Sequence, residues 1–474
     1  MQEQVQTISM GLSGLDGFPI NIKLNKMVGG GLQILGLNPV QFRETRLRVR
    51  AALEQVGIPT GGIDALVSID LGGRASPTSQ LDLGIAVGLV VLTGRVKPEI
   101  IKNVVFIGEL SLNGRLRPVR GLLPMVEATR SNNVLNTIVP FAQQSEASLA
   151  ETPVLVADRF SEILDWLNDQ KPLMVAQSLP HCSPARETYD MGDIGGRWSA
   201  RRALEVAAAG KHNILLVGPP GVGKTQLARR LVGILPDMTQ NETLEVGRIY
   251  SVAGLAQENG GLISQRPFRA PHHTVSEAGL VGGGNPVRPG EVTLAHNGVL
   301  FLDELNEFRT SSMLALRNAV KDCKATFLRN DQTISFPARP LLVAAVNVCP
   351  CGRLPCGCSE QRIKDYKKRF LEPLGELFPI RARLSPTSLD QASKEATTEV
   401  YKQKVIRARA TSVLRKRMST IVEEFFLEQC LICNIAPKPQ SQLRCVARTL
   451  ANLEGSETIK KYHVVEAIQL YRTY

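Results

Sequence analysis

The sequence predicts an α/β protein whose parallel sheet carries a phosphate site, with a mixed α+β segment before it and a helical segment after it. Three observations predict this. Gly218-Pro219-Pro220-Gly221-Val222-Gly223-Lys224-Thr225 spells G-x-x-x-x-G-K-T between an apolar run and a helical one. Residues 191–385 alternate apolar strand-like runs with helical ones, the pattern of an α/β sheet. From Ser388 onward β-rich runs are few and the pattern is helical.

Composition bounds the rest. A chain of 474 residues is long enough for about three domains. Hydrophobic residues at 43% and charged residues at 21% exclude wholesale disorder. The net charge of +12 favours an anionic partner and says nothing about fold. The longest apolar run, Leu83 to Thr93, is too short to cross roughly 30 Å of hydrocarbon, so no membrane association is expected. Met1 to Gln6 lacks the charged start and apolar core of a signal peptide. Four of the nine cysteines crowd into Cys349 to Cys358, which is not a secreted disulfide framework; a cytoplasmic protein is expected.

Four segments follow in order. Residues 1–170 mix short β-rich and helical runs. Within them Arg46 to Val56 reads as an amphipathic helix ended by Gly57 and Pro59. Ile101 to Val119 reads strand, turn, strand, with Asn113-Gly114 supplying the positive φ of a tight hairpin. Residues 171–190 carry Pro172, Pro180 and Pro184 with little periodicity and read as a linker. Residues 191–385 form the α/β core, and 386–474 a helical domain.

The phosphate motif has a physical logic. Glycines let backbone N–H groups converge on phosphate oxygens, Lys224 reaches the β/γ-phosphates, and the Thr225 hydroxyl holds Mg²⁺. Asn213 to Val217 is the buried strand before it, and Gln226 to Leu235 the helix after it, whose dipole adds positive potential. A second apolar strand, Val299 to Leu302, ends in Asp303-Glu304. Asp303 would complete the Mg²⁺ shell and Glu304 would polarise the attacking water. A third strand, Leu341 to Val346, ends in Asn347, which could orient that water or simply cap the strand.

This set resembles an AAA+ ATPase of the magnesium-chelatase-like branch, and more closely the YifB/ComM family. The carrying strings are Arg202 to Gly210, Arg266 to Thr274, Gly279 to Gly284 and Cys349-Pro350-Cys351-Gly352. The resemblance runs over nearly the whole chain. It implies a P-loop AAA+ core using ATP and Mg²⁺, an N-terminal Lon/S5-like α+β domain and a C-terminal helical lid. It implies a hexameric ring motor on single-stranded or branched DNA, with branch migration or helicase activity in recombination or natural transformation. Two other readings are a hydrolysis-poor ATP-bound scaffold and a chelatase motor subunit.

The Lon resemblance implies no proteolysis. Asp82 stands where the family's serine would be, and Leu123 where its lysine would be. A Ser–Lys dyad needs a hydroxyl and a base, and neither is there. Two further positions depart from the family. Leu377 occupies the place of the arginine that completes a neighbour's site, with Arg369, Arg381 and Arg383 as alternatives off the matched position. Ala436-Pro437-Lys438 stands where the γ-phosphate sensor S-x-R is expected, with Arg444 and Arg448 as nearby alternatives.

Cys349, Cys351, Cys356 and Cys358 give C-x-C-x₄-C-x-C. Four thiolates could enclose one tetrahedral Zn²⁺; four reduced thiols in a Gly/Pro loop are the alternative. Cys430 and Cys433 lie in an apolar helical run and read as core. His272 and His273 sit in a Gly-rich excursion that packs as a loop or faces the ring channel or nucleotide. Lys324 to Phe336 reads as a β-hairpin, which the resemblance places in the ring pore with Arg329 and Asn330 near its tip as DNA contacts. Lys402 to Arg417 reads as a dense basic helix, either solvated or on nucleic acid.

Overall fold

The computed structural model describes residues 4–472 except 75–78, 132–133, 151, 178–188, 194–197, 257–262, 264, 285, 330–331, 354–355, 386–396 and 412–417. β1 (Gln4–Ser13) and β2 (Asp16–Lys26) form a long antiparallel hairpin. Successive strand side chains face opposite sides, and on β2 Phe18, Ile20, Ile22 and Leu24 are buried while Pro19, Asn21 and Lys23 are exposed. β3 (Leu32–Leu35), α1 (Pro39–Gln55) and β4 (Ala65–Ile69) make a crossover with the two strands parallel. The helix begins earlier than its apolar periodicity suggests. Asn38 caps it, accepting from Gln41 N at 2.9 Å, while Gln41 returns a bond to Asn38 N, and Pro39 opens the first turn.

α2 (Asp82–Leu92) is buried along its whole length. Gly88 permits its close approach to β2, since a Cβ there would meet Leu24 Cδ1 at 2.4 Å. β5 (Val104–Phe106) joins the large sheet parallel to β1. The hairpin of β6 (Glu109–Leu110) and β7 (Leu116–Arg117) turns at Gly114, φ 74°, and forms a sheet of its own. The strand–turn–strand expected over 101–119 is thus divided between two sheets, because the chain leaves the large one at Gly108 to bond Gln80 O.

α3 (Leu122–Glu127), β8 (Asn136–Pro140), α4 (Gln144–Ala147), β9 (Val154–Ala157), α5 (Phe160–Leu167) and β10 (Met174–Val175) complete this unit. Its eight strands run in the order β10-β9-β8-β5-β1-β2-β4-β3. One apolar cluster, with Leu24, Val87 and Phe160, fills the face under α1, α2 and α5. Another, with Met10, Leu122 and Met125, fills the face under α3 and α4. Met174 and Val175, in the stretch read as a linker, pair with Val156 and Leu155.

The second unit runs α6 (Trp198–Gly210), β11 (Ile214–Val217), α7 (Lys224–Ile234), α8 (Gln240–Ala253) and β12 (Phe268–Arg269). A short excursion of α9 (Glu277–Val281), β13 (Gly282–Gly283), β14 (Arg288–Pro289) and α10 (Glu291–Leu294) follows. Then come β15 (Val299–Leu302), α11 (Thr310–Lys321), the hairpin β16 (Lys324–Arg329) and β17 (Gln332–Pro337), β18 (Leu341–Val346), α12 (Glu360–Leu374) and β19 (Ile380–Arg383). The sheet is parallel, ordered β12-β15-β18-β11-β19. β11, β15 and β18 are buried at every residue, as central parallel strands require.

α13 (Thr398–Thr411), α14 (Thr420–Ile432), α15 (Pro437–Leu453) and α16 (Lys461–Arg472) close the chain. Phe426, Leu443, Val446 and Leu450 share one core with Ile214 and Leu216 of the sheet. The two units also meet through polar groups: Gly121 N bonds Ser251 O at 3.0 Å, and Arg248 bonds Glu127 at 2.6 Å. Among the described residues no helix is long and apolar enough to cross a membrane.

Candidate functional site

β11 delivers the chain at Val217 into Gly218–Gly223, and Lys224 opens α7. Gly221 and Gly223 take φ of 75° and 84°, left-handed values that glycine adopts without strain. A Cβ on Gly218 would lie 2.9 Å from Leu384 O. β18 lies between β11 and β15, so Asn347 and Asp303 arrive at the same carboxyl edge of the sheet as the glycine loop.

There the predicted residues converge. Lys224 Nζ donates to Gly218 O at 2.7 Å, Pro219 O at 3.1 Å and Asn347 Oδ1 at 2.9 Å. Burial pulls its pKa down, against the opposing charges of Asp303 and Glu304. Thr225 Oγ1 donates to Asp303 Oδ2 at 2.9 Å, which puts a hydroxyl and a carboxylate oxygen side by side. These residues fit a magnesium-bound polyphosphate. The oxygen pair suits a hard cation, and the three hydrogen-bond partners of Lys224 are neutral oxygens, leaving its charge for a phosphate.

Glu304 follows β15 in the left-handed region, φ 49° and ψ 51°, a conformation that costs a non-glycine residue about 1–2 kcal/mol. Its carboxylate is exposed, and His273 Nδ1 lies 3.8 Å from Oε2. The His272 and His273 rings pack at 4.1 Å, and His272 Nδ1 bonds Thr274 Oγ1 at 2.9 Å. The excursion therefore brings His273, which sequence reading left open, beside Glu304.

Cys349, Cys351, Cys356 and Cys358 gather with their sulfur atoms all within 4.8 Å of one another. Cys430 is buried in the core as expected, whereas Cys433 is half-buried and accepts from Arg472 Nη1 at 3.2 Å.

The hairpin forms, with Arg329 paired to Gln332 across its end; Asn330 lies outside the described residues. Its other end leans on the β1–β2 turn, where Ile334 and Phe336 cluster with Leu12 and Leu15. The basic helix is only partly a free face. Arg409 turns inward to Ala208 O at 2.6 Å, Lys402 pairs with Asp237 at 2.8 Å, and residues 412–417 lie outside the description. Burial, aided by the charge of Arg266, pulls Arg409 down to about 10.

Leu377 is buried in the core with Phe370 and Phe378. Arg369 and Arg383 are exposed, and Arg381 stacks on Tyr471 at 4.4 Å. Lys438 bonds Glu376, which also receives Arg317 Nε at 2.5 Å and Lys321. Burial pushes the Glu376 carboxyl up, but bonds from Lys321, Lys438 and Arg317 outweigh it and hold it at about 2. Arg444 is held by Glu423 at 2.6 Å.

In the first unit, Asp82 and Leu123 are both fully buried. Asp82 accepts from Arg48 Nε at 2.6 Å and Leu110 N at 3.3 Å. Burial pushes its carboxyl to about 6 despite the Arg48 guanidinium. Sequence reasoning missed a second buried acid, Glu146, which accepts from Ser251 Oγ at 2.5 Å across the contact between units. The two residues lie too far apart in the chain for local pattern to pair them.

Residues 190–392 match the family model described as magnesium chelatase, subunit ChlI, and residues 20–143 match the model for subunit ChlI of Mg-chelatase. Competence protein ComM of Haemophilus influenzae is 34% identical, over 92% of this chain and 91% of that protein. Uncharacterized protein YifB of Escherichia coli is 31% identical, over 96% and 94%. An uncharacterized protein of Mycobacterium tuberculosis is 37% identical, over 87% and 83%.

Proposed function

Because the chain belongs to the magnesium-chelatase-like YifB/ComM family, we propose that it is an ATP-driven AAA+ ring motor that acts on DNA. The family supports an ATPase-type motor dependent on nucleotide and Mg²⁺. The observation that carries the reading is the convergence of Lys224, Thr225, Asp303 and Asn347 at one sheet edge. Bound ATP–Mg²⁺ would supply the transferable γ-phosphoryl group. Lys224 holds the phosphates, Thr225 and Asp303 present oxygens to the metal, and Asn347 fixes the lysine. Glu304 orients water and takes its proton, and His273 steadies the Glu304 carboxylate.

The DNA reading rests on the net charge of +12 and on the hairpin ending at Arg329. Its substrate is single-stranded or branched DNA, moved by a hexamer in branch migration during recombination or transformation. The first unit is a Lon/S5-like domain without proteolysis, in keeping with buried Asp82 and Leu123. The helices from Thr398 onward are a lid over the core. Burial of Leu377 favours a second reading, an ATP-bound scaffold that hydrolyses poorly.

A steady-state ATPase assay with and without branched DNA separates the two: the motor turns over faster with DNA, and the scaffold stays near zero in both. DNA affinity should fall with salt at a log–log slope of roughly −0.7 to −0.9 per neutralised phosphate. Arg329→Ala should flatten that slope by about one unit per lost contact, with base preference kept. Wild-type slopes in Arg329→Ala remove the hairpin from the DNA interface. A wild type with no salt-sensitive DNA binding removes DNA.

A further inference from the structure

The four clustered thiols lie directly beyond β18. Cys349 is 1% exposed, and every other described residue from Pro350 to Ser359 is exposed or half-buried. The described residues of the loop therefore form no apolar core that would order it. Yet its sulfurs are drawn together: Cys349 and Cys351 Sγ are 3.2 Å apart, and Cys351 and Cys356 Sγ 3.6 Å. A disulfide would need about 2.05 Å. A tetrahedral zinc with bonds of about 2.3 Å sets its sulfurs roughly 3.8 Å apart. The observed spread, within 4.8 Å, closes onto one ion with small side-chain movements. An all-thiolate tetrahedron suits a soft or borderline cation and not Mg²⁺ or Ca²⁺.

The same loop touches the phosphate site. Gly352 has φ 63°, and a Cβ there would come 3.1 Å from Pro220 Cγ and 3.3 Å from Pro220 Cδ. The backbone of the cysteine loop is thus seated on the phosphate loop. Asn347, two residues before Cys349, holds Lys224 at 2.9 Å.

We propose that Cys349, Cys351, Cys356 and Cys358 bind one Zn²⁺, and that the closed knot braces the phosphate loop through Pro220 and Asn347. The bracing half rests on the nucleotide reading above; the metal half does not. Zinc here is structural, a closed site with no open position for substrate.

Metal analysis and thiol footprinting of the purified full chain test the site. One zinc per chain is expected, with the four thiols protected from alkylation while exposed Cys323 reacts. A mercurial should release the zinc by capping the four thiolates, and an excess of small dithiol should then strip the mercury and free all four. Cobalt exchanged into the site should show the intense visible bands of a tetrahedral tetrathiolate. If the protein is metal-free with four thiols as reactive as Cys323, or carries iron or two disulfides in their place, the zinc site is wrong.

Calorimetry tests the brace. If the stripped loop holds the phosphate loop in place about a tenth of the time, apparent nucleotide affinity falls about tenfold, and added Zn²⁺ restores it. Gly352→Ala, whose new methyl presses on Pro220, should keep its zinc and still bind nucleotide more weakly. Should stripping unfold the chain, Gly352→Ala decides. Zinc-loaded Gly352→Ala with wild-type nucleotide affinity overturns the brace. Zinc present with no nucleotide binding in wild type overturns the nucleotide reading and leaves the metal site standing.

Discussion

Ser251→Ala isolates the contact between the two units. Ser251 Oγ donates to Glu146 Oε1 at 2.5 Å, and the same carboxylate accepts from Gln143 Nε2 at 2.9 Å and Leu123 N at 3.2 Å. Glu146 is 3% exposed. Burial raises its pKa above the ordinary value, against the bonds from Ser251, Gln143 and Leu123. Stability linked to protonated Glu146 is therefore fully present below the unfolded value of about 4.3 and is lost as pH rises through the raised folded value. Losing a donor to a buried carboxylate costs about 1.5–3 kcal/mol, and losing one to the neutral acid about 0.5–1.5 kcal/mol. Ser251→Ala should thus destabilise by about 1 kcal/mol near pH 4, where Glu146 is protonated, and by about 2 kcal/mol once pH has passed the raised folded value and the carboxylate is ionised. With a urea slope of about 3 kcal/mol per M, the larger cost moves the midpoint by roughly 0.7 M. Trp166 lies half-buried in α5 and reports the first unit, while Trp198 is 75% exposed and changes little on unfolding. A midpoint shift of the same size at every pH from 4 upward would refute the role given to the carboxylate. A double-mutant cycle with Glu146→Gln should show coupling between the two positions.

Four further outcomes follow from the geometry. Lys224→Ala should abolish tight ATP binding in calorimetry, and unchanged affinity would remove the phosphate site. Glu304→Gln should bind ATP and fail to turn it over, so a wild-type rate in a steady-state assay would strip Glu304 of its role. Asp82→Asn should flatten the fall in stability between about pH 4 and pH 6, because the folded carboxyl sits at about 6 and its protonated form stabilises the fold below that range. Casein should stay intact with wild type, ATP and Mg²⁺; digestion that Asp82→Ala removes would overturn the non-proteolytic reading.

The parts of the site that sequence reveals are those where chemistry and backbone geometry share a short stretch. Gly218–Thr225 is legible because turn, glycines and lysine occupy one loop. Asp303 and Asn347 are legible because each ends an apolar run, and parallel strands place their ends together. His273 is not assignable from sequence because its partner, Glu304, is reached only after the excursion between β12 and β15 folds back. The hairpin is legible as a segment just before the third strand, but its packing on the β1–β2 turn depends on two units meeting. The basic helix misled for a related reason. Charge density is visible in sequence, whereas Arg409 bonding Ala208 O and Lys402 bonding Asp237 are tertiary.

The departure at Leu377 also reads differently once its surroundings are known. An arginine there would have to leave a core shared with Phe370 and Phe378 before it could reach a neighbour. The adjacent residue, Glu376, is a hub: Arg317 and Lys321 reach it from α11 and Lys438 from the start of α15. The lysine aligned with the γ-phosphate sensor is thus engaged by an acid next to the missing arginine. The two departures from the family thus lie side by side, with Lys438 engaged by Glu376 between the α/β core and the C-terminal helices. One acid holding three cations leaves those four groups with net positive charge, and a phosphate reaching them would compete with Glu376 for Lys438, whose side chain is 70% exposed. Arg317 and Lys321, on α11, would still hold Glu376 after Lys438 let go. Recovering a sensor cation then means breaking one ion pair whose lysine is exposed and whose acid keeps two other cations, whereas recovering an arginine at position 377 requires emptying a buried apolar site.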